Sequence, residues 1–315
     1  MEHGRQPHHA PAEGTGLIRA ILCGLVKGDL AMPEISRRLR ERCESTAAGR
    51  SWLGRLPEVL RDLSSRWSLW LAAPFNGEDT SSAWVAPALR ADGSEAVLKV
   101  AFPHFEGEHE IDGLRFWSGN PTVRLLDADE NLGAVLLERC VPGATLRTVP
   151  EAAQDVVISG LLRRLWRAPP PAHSFRPLST MLGFWTREFE TDGSAQSDPG
   201  LTRTALNLLE ELARPDSTDV LLATDLHAGN VLRAEREPWL VIDPKPFVGD
   251  PSYDATQHLL NCRARLTSDP EDTIRRFADL LELSAERIRL WTFVRAVIQP
   301  QFLGDANALA RTLKP

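Results

Sequence analysis

The segment Leu221–Asp254, LLATDLHAGNVLRAEREPWLVIDPKPFVGDPSYD, contains three polar residues whose spacing is not explained by apolar patterning alone. Asp225 and Asn230 lie five residues apart in a DLHAGN turn that follows the apolar run 220–223, and Asp243 ends a second apolar run, 239–242. The order of apolar and polar residues predicts a strand, a loop, and then two short strands that end on a carboxylate.

These residue types are the ones that phosphoryl transfer from a nucleoside triphosphate requires. One carboxylate orients a hydroxyl group and accepts its proton, while an Asn and a second carboxylate hold Mg²⁺ on the phosphates. Asp225 precedes Asn230 by five residues, as the base precedes the Asn in kinase-like catalytic loops. Turn chemistry is the alternative for DLHAGN alone, but Asp243 disfavours it. We therefore predict Asp225 as the base, with Asn230 and Asp243 as metal ligands.

The segment 220–266 resembles the aminoglycoside phosphotransferases, and within them the streptomycin 6-kinase group of aminoglycoside and hydroxyurea antibiotic resistance kinases. Members of that group typically have HGDLHxGNVL, then IDPKPxxGDPxYD, then a run similar to TQHLLNCRARL at 256–266. The resemblance implies a bilobal protein-kinase-like α+β fold, with a small antiparallel sheet lobe and a larger, mostly helical lobe. It also implies ATP and Mg²⁺ as cofactors and a hydroxyl of a streptomycin-type aminoglycoside as the acceptor.

The sequence departs from this group immediately before Asp225, where Ala223-Thr224 replaces the group's His-Gly. In kinase-like folds that His helps to hold the catalytic loop, and Thr is strained wherever a positive φ suits Gly. We therefore expect a slow kinase whose turnover rises when the His-Gly pair is restored. A nucleotide-binding relic without catalysis is an alternative, although the joint retention of Lys99, Asp225, Asn230 and Asp243 argues against it.

Lys99 is the candidate for the triphosphate. Residues 70–100 have the pattern of a β-meander, in which an ADGS turn precedes the strand AVLKV at 96–100. In kinases a lysine on the third strand bridges the α- and β-phosphates and a helix Glu. A lysine on an edge strand is the alternative interpretation.

The predicted helix 106–117 supplies the partner of Lys99. We choose Glu110 over Glu108, because Glu110 shares a helix face with Leu114 and Trp117. The loop 74–82, PFNGEDTSS, is the predicted cover over the phosphates, with contacts from backbone N–H groups and from Ser81 or Ser82.

Carboxylates are the candidate contacts for the acceptor, because streptomycin carries guanidinium cations. The candidates are Glu188, Glu190, Asp250 and Asp254. Each of them has an alternative as an exposed charge, and Asp254 has a further alternative as a structural acceptor. Another small hydroxyl compound is an alternative substrate, because the same motifs would serve it unchanged.

The net charge, the cysteine spacing and the length of the apolar runs indicate which partners and which compartment to expect. A net charge of −7 argues against nucleic-acid binding through a basic surface. The 4 cysteines are widely spaced, as in a cytoplasmic protein with reduced thiols, and no apolar run has the ~20 residues that span a bilayer. We expect a cytoplasmic monomer that binds a small cationic substrate, and neither nucleic acid nor a membrane.

The chain is predicted to have three parts. Residues 1–31 are polar and rich in Gly and Pro, which predicts a disordered extension; Met32 lies where members of the resembled group usually begin. Residues 32–140 are predicted to form N-terminal helices and the nucleotide-binding small lobe, and residues 141–315 the helical catalytic and substrate-binding lobe.

Overall fold

The computed structural model describes residues 33–75, 82–193, 198–300 and 306–315. The predicted extension 1–31 and Ser81 lie outside these residues. The described residues form two compact units. The first lies within Met1–Phe102 and Leu126–Arg139, and the second within Pro103–Leu125 and Cys140–Pro315.

In its described residues, the first unit consists of a five-stranded sheet and two helices. The strand order is β1-β2-β3-β5-β4, and the pairs β1–β2, β2–β3 and β3–β5 are antiparallel. The helices are α1 (Arg37–Glu44) and α2 (Ala47–Arg66). The strands are β1 (Leu69–Leu71), β2 (Ala83–Arg90), β3 (Glu95–Ala101), β4 (Leu125–Asp129) and β5 (Ala134–Glu138).

The core of the first unit follows from the helical spacing of apolar residues in α2 and from their alternation in β3. Apolar residues of α2 recur at helical spacing and are buried, and they form one cluster with alternate residues of β3, including Leu98 and Val100. Because strand side chains alternate between faces, Lys99 lies on the opposite face of β3, where the register places it between Val85 and Val135. The predicted turn between β2 and β3 is confirmed, and Gly93 supplies its positive φ of 82°.

The second unit contains nine described helices and two small antiparallel ladders, β6–β9 and β7–β8. The helices are α3 (Glu110–Trp117), α4 (Glu151–Leu165), α5 (Leu178–Glu188), α6 (Pro199–Leu212), α7 (Pro251–Asn261), α8 (Arg263–Ser268), α9 (Pro270–Leu281), α10 (Ala285–Ile298) and α11 (Ala306–Leu313). The strands are β6 (Val220–Leu222), β7 (Val231–Arg233), β8 (Trp239–Val241) and β9 (Phe247–Gly249). Among these helices, none is both long and apolar enough to cross a bilayer.

Residues 103–125 belong to the predicted small lobe, whereas in the structure they group with the second compact unit. The reason is α3: Trp117 is fully buried in the core of that unit, and its indole N–H donates to the carbonyl of Leu165 at 3.0 Å. Burial of so large a side chain contributes roughly 1.5 to 3 kcal/mol or more to the packing of α3. The lobe boundaries themselves stay a prediction.

Side-chain caps and turns set where two helices of the second unit begin. The helix expected over 106–117 starts at Glu110, after a 3₁₀ turn at Phe105–Gly107. The helix α7 starts at Pro251, because the Asp250 side chain caps it by accepting from the N–H of Ser252. Pro at the first helical position suits such a start.

Candidate active site

The turn that carries Asp225 is held by backbone hydrogen bonds. The strand β6 ends at Leu222, and the N–H of Asp225 then donates to the carbonyl of Ala223 at 2.7 Å. Thr224, at the centre of this tight turn, has a φ of 48°, a left-handed conformation that β-branched residues rarely adopt. The turn leaves the Asp225 carboxylate 20% exposed, so a proton acceptor at this position is accessible.

Asn230 is tied to the same turn. Its side-chain Nδ2 donates to the carbonyl of Asp225 at 3.0 Å, and its backbone N–H donates to the carbonyl of His227 at 2.9 Å. Because the amide nitrogen is used in this way, the amide oxygen is the end of the side chain that can serve a cation. Gly229 permits the close packing of this loop, since a Cβ there would lie 2.6 Å from Nη2 of Arg147.

Asp243 lies at the same end of the β7–β8 ladder as Asn230. Val231 pairs with Val241, and the N–H of Ile242 donates to the carbonyl of Asn230 at 2.9 Å, which extends the pairing by one residue. Asp243 follows directly, with a φ of 52°. Carboxylate and amide oxygens are the donors that Mg²⁺ prefers. The donor set that the ladder brings together therefore fits a magnesium ion held by Asn230 and Asp243.

Two residues that sequence reasoning did not identify contact the Asp225 carboxylate. Lys245 Nζ lies 2.6 Å from Oδ2, and Gln257 Nε2 donates to Oδ1 at 2.7 Å. Arg295 orients the Gln257 amide by donating to its Oε1 at 2.6 Å. The position of Lys245 in IDPKP, two residues after Asp243, was a signal that could have been used. Gln257 lies in the TQHLLN run that resembles the group, but nothing in that run indicated that its side chain reaches Asp225 from α7.

Glu106 is a third residue that sequence reasoning did not assign. Its Oε2 lies 3.6 Å from Lys245 Nζ, and its Oε1 accepts from the indole N–H of Trp185 at 2.9 Å. Lys245 thus interacts with the carboxylates of Asp225, Asp243 and Glu106. These four groups carry an excess of negative charge, which favours the binding of cations.

Asp254 is buried and serves the backbone before Asp225. Its carboxylate accepts hydrogen bonds from the N–H groups of Ala223 (3.0 Å) and Thr224 (2.7 Å) and from the indole of Trp166 (3.1 Å). Burial raises the pKa of Asp254 to about 6, although these hydrogen bonds oppose the rise. Because the side chain is fully enclosed, we withdraw Asp254 as a substrate contact in favour of its alternative as a structural acceptor.

Asp250 is also withdrawn as a substrate contact. One of its oxygens caps α7, and the other accepts from Nε of Arg287 (2.5 Å) and from the indole of Trp291 (2.6 Å). The residue is 8% exposed. Its hydrogen bonds therefore join the start of α7 to α10, and the carboxylate is not presented to a substrate.

The remaining acidic candidates lie near the end of α5. Glu188 is the last residue of that helix, Glu190 follows two residues later, and both are exposed. Their role as substrate contacts stays a prediction.

The predicted triphosphate residues divide between the two units. Lys99 is buried on β3 of the first unit, where Ser82 also lies, and Glu110 is buried at the start of α3 in the second. The pairing of Lys99 with Glu110 stays a prediction. The second choice, Glu108, is exposed and forms an ion pair with Arg176 at 2.9 Å.

His227 and His258, the histidines nearest to Asp225 in the sequence, both form hydrogen bonds within the protein. His227 Nδ1 accepts from the N–H of Gly229 at 3.0 Å, so its side chain holds the loop that precedes Asn230. His258 is fully buried beside Asp155 (2.8 Å), whose two oxygens also accept from Arg265 at 2.6 and 2.7 Å. Burial alone would raise the pKa of Asp155, but the hydrogen bonds from His258 and Arg265 hold it at about 2.

The strand and helix order is that of the protein-kinase-like fold, and the arrangement of Asp225, Asn230 and Asp243 is the one expected of a phosphotransferase. Comparison with solved structures shows the same fold. The aminoglycoside phosphotransferase APH(3'')-Id of Streptomyces rimosus, in a complex with ADP and streptomycin, superposes with a TM-score of 0.52 at 20% identity, covering 79% of this chain and 99% of that one. A likeness of this degree shows the fold.

The chain belongs to the aminoglycoside/hydroxyurea antibiotic resistance kinase family, whose model matches residues 66–303. It is 38% identical to a streptomycin 6-kinase of Streptomyces griseus over 84% of this chain and 92% of that protein. It is also 38% identical to a hydroxyurea phosphotransferase of Kitasatospora aureofaciens over 80% of this chain and 74% of that protein. The protein is therefore a phosphotransferase that acts on a hydroxyl group.

Proposed function

We propose that the protein transfers the γ-phosphoryl group of ATP to a hydroxyl of a streptomycin-type aminoglycoside and thereby inactivates the antibiotic. The proposal rests on one observation. Asp225 and Asn230 lie in the same turn, and Asp243 lies at the same end of the β7–β8 ladder as Asn230. The similarity to the streptomycin 6-kinase supports the acceptor class.

Each residue has a role in this proposal. Asp225 accepts the hydroxyl proton, because its carboxylate is the accessible base of the turn. Asn230 and Asp243 hold Mg²⁺, which when bound neutralises charge on the phosphates. Lys99, with Glu110, positions the triphosphate, and Ser81, Ser82 and the backbone around them contact it.

The acceptor is proposed to bind as a cation. The excess of carboxylates around Asp225, which includes Glu106, attracts a guanidinium-bearing substrate. Glu188 and Glu190 are proposed as further contacts. The proposed ATP requirement and the buried free thiols of Cys43 and Cys262 are in keeping with a cytoplasmic enzyme, and we expect a monomer.

A second acceptor has a specific observation in its favour. The hydroxyurea phosphotransferase has the same identity to this chain, 38%, as the streptomycin 6-kinase. Hydroxyurea is small and uncharged, so it would not need Glu188 or Glu190. A catalytically inactive relic is less well supported, because Asp225 retains a carboxylate that Lys245 and Gln257 hold by hydrogen bonds.

The test is an ADP-release assay with streptomycin, hydroxyurea and a panel of other hydroxylated compounds, with mass spectrometry of the products. Asp225→Asn is the control for background hydrolysis. Phosphorylation of streptomycin at a rate well above that of the other compounds is expected. A preference for hydroxyurea supports the second acceptor, and ATP binding without transfer to any compound contradicts the proposed activity.

A further inference from the structure

The backbone of Lys245 is fixed on both sides by the turn that carries the base. Its N–H donates to the carbonyl of Ala223 at 2.9 Å, and its carbonyl accepts from Oγ1 of Thr224 at 2.6 Å. The Lys245 side chain is 17% exposed and ends 2.6 Å from the Asp225 carboxylate. The fold therefore determines where this ammonium lies.

The Lys245 ammonium faces several carboxylates. Its Nζ lies 2.6 Å from Oδ2 of Asp225 and 3.6 Å from Oε2 of Glu106. It also interacts electrostatically with the carboxylate of Asp243, the proposed metal ligand. Cations at such positions stabilise the negative charge that shifts during phosphoryl transfer.

The choice of lysine at this position is informative. Only 4 of the 36 basic residues of the chain are lysines, at positions 27, 99, 245 and 314. Lys99 is buried on β3, Lys245 is half-buried beside Asp225, and Lys314 is exposed. A compact ammonium can approach a carboxylate and a phosphate oxygen together, whereas a planar guanidinium is bulkier and prefers paired contacts.

We propose that Lys245 is a further catalytic residue, whose ammonium holds Asp225 in place and contacts the γ-phosphoryl group during its transfer. This inference rests on the proposed function. In the step, the acceptor oxygen forms a bond to the γ-phosphorus while the bond from phosphorus to the β,γ-bridging oxygen breaks. ADP leaves with the electron pair of that bond, and the acceptor proton passes to Asp225. Lys245 keeps all its protons and donates hydrogen bonds.

Gln257 provides the comparison that separates the two parts of this role. It contacts the other oxygen of Asp225, at 2.7 Å, but it carries no charge. If Lys245 served only to hold Asp225, loss of either partner would have the same effect. A contact with the γ-phosphoryl group is specific to Lys245, and it changes the affinity for ATP without changing that for ADP.

The experiment measures binding of ADP and of a non-hydrolysable ATP analogue by calorimetry with Mg²⁺, together with kcat and KM for ATP and the melting temperature. Four variants are compared: Lys245→Met, Lys245→Arg, Gln257→Leu and, as an exposed control that removes the same charge, Lys314→Met. The double variant Asp225→Asn/Lys245→Met removes both members of the ion pair, and it replaces Lys245→Met if that protein fails to fold.

Lys245→Met is expected to weaken binding of the ATP analogue by about ten-fold or more, as loss of a charge-assisted hydrogen bond does. ADP affinity should change by less than about three-fold, and kcat should fall by ~10²-fold. Lys245→Arg should recover part of kcat. Gln257→Leu should lower kcat while leaving the ratio of the two affinities unchanged, and Lys314→Met should match the wild type.

The inference is wrong if Lys245→Met leaves the ratio of the affinities for the ATP analogue and for ADP unchanged, which includes the case in which it weakens the binding of both nucleotides equally. The proposed function fails separately. If the wild type favours the ATP analogue through Lys245 yet phosphorylates none of the acceptors, the nucleotide contact is supported and the acceptor assignment is refuted. If the wild type binds neither nucleotide, both are refuted.

Discussion

Thr224 is the residue at which the structure changes an expectation most directly. The sequence suggested that Ala223-Thr224 weakens the catalytic loop, since a His-Gly pair is usual at this point. In the structure the Thr224 hydroxyl donates to the carbonyl of Lys245 at 2.6 Å, two residues beyond Asp243. This bond links the base turn to the segment after the metal ligand, so Thr224 supplies a connection of its own.

Two opposing contributions can be weighed at Thr224. Its φ of 48° costs a β-branched residue roughly 1 to 2 kcal/mol. The buried hydroxyl bond contributes about 0.5 to 1.5 kcal/mol, and loss of one partner costs ~1 to 3 kcal/mol if the other is left unsatisfied. Thr224→Val keeps the strain and removes the bond, so it should destabilise by the latter amount. Thr224→Gly removes both, so its stability should lie within ~1 kcal/mol of the wild type.

The assay is thermal unfolding of the wild type, Thr224→Val, Thr224→Gly and Thr224→Ser. For the same proteins, kcat is measured with the acceptor that the wild type phosphorylates. We expect Thr224→Val to melt a few degrees below the wild type and to lose turnover, with Thr224→Gly close to the wild type in stability. Thr224→Ser, which keeps the hydroxyl, is the matched control. If Thr224→Val were as stable and as active as the wild type, the hydroxyl bond would have no role, and the reasoning above would be refuted.

The structure also changes what restoration of His-Gly should do. Ala223 is 1% exposed within the core of the second unit, so an imidazole at this position must displace its neighbours at a cost of about 1 to 3 kcal/mol. We now expect Ala223→His with Thr224→Gly to lower stability rather than to raise turnover. A faster and equally stable double variant would restore the original expectation.

Further predictions concern Asp225, the buried Asp155 and the acidic residues at the end of α5. Asp225→Asn should keep the fold and ATP affinity while kcat falls by roughly 10² to 10⁴-fold; a wild-type rate on an authentic substrate would contradict the base assignment. Asp155→Ala should lower the melting temperature markedly without changing ATP affinity, because it leaves the Arg265 guanidinium without its buried partner. The pKa of Asp155 is held at about 2, below its ordinary 3.8. The ionised carboxylate therefore contributes its full stabilisation above pH 3.8, and this stabilisation is lost as the pH falls towards 2. Thermal unfolding of the wild type and of Asp155→Ala across this pH range checks the direction of the effect. Glu188→Gln with Glu190→Gln should raise KM for a cationic acceptor several-fold and leave KM for ATP unchanged, and an unchanged acceptor KM would exclude both residues from its site.

The local pattern of the sequence was sufficient for the elements that carry the site. The alternation around Lys99 and the ADGS turn predicted β2 and β3, because side-chain direction in a strand has a period of two residues. The spacing of Asp225, Asn230 and Asp243 predicted a turn and a ladder for the same kind of reason. Their proximity depends on pairing between neighbouring short strands, which a short sequence separation makes predictable.

Contacts over long sequence separations were decided only by the tertiary structure. Gln257 and Asp254 occur on the same helix, α7, and nothing in the sequence distinguishes the carboxamide that contacts Asp225 from the carboxylate that is buried beneath Ala223 and Thr224. Their positions depend on where α7 packs, and therefore on the core of the second unit. The positive φ of Thr224 is likewise set by its surroundings, which impose a conformation against the residue's own preference because the hydrogen bonds around the turn offset the strain.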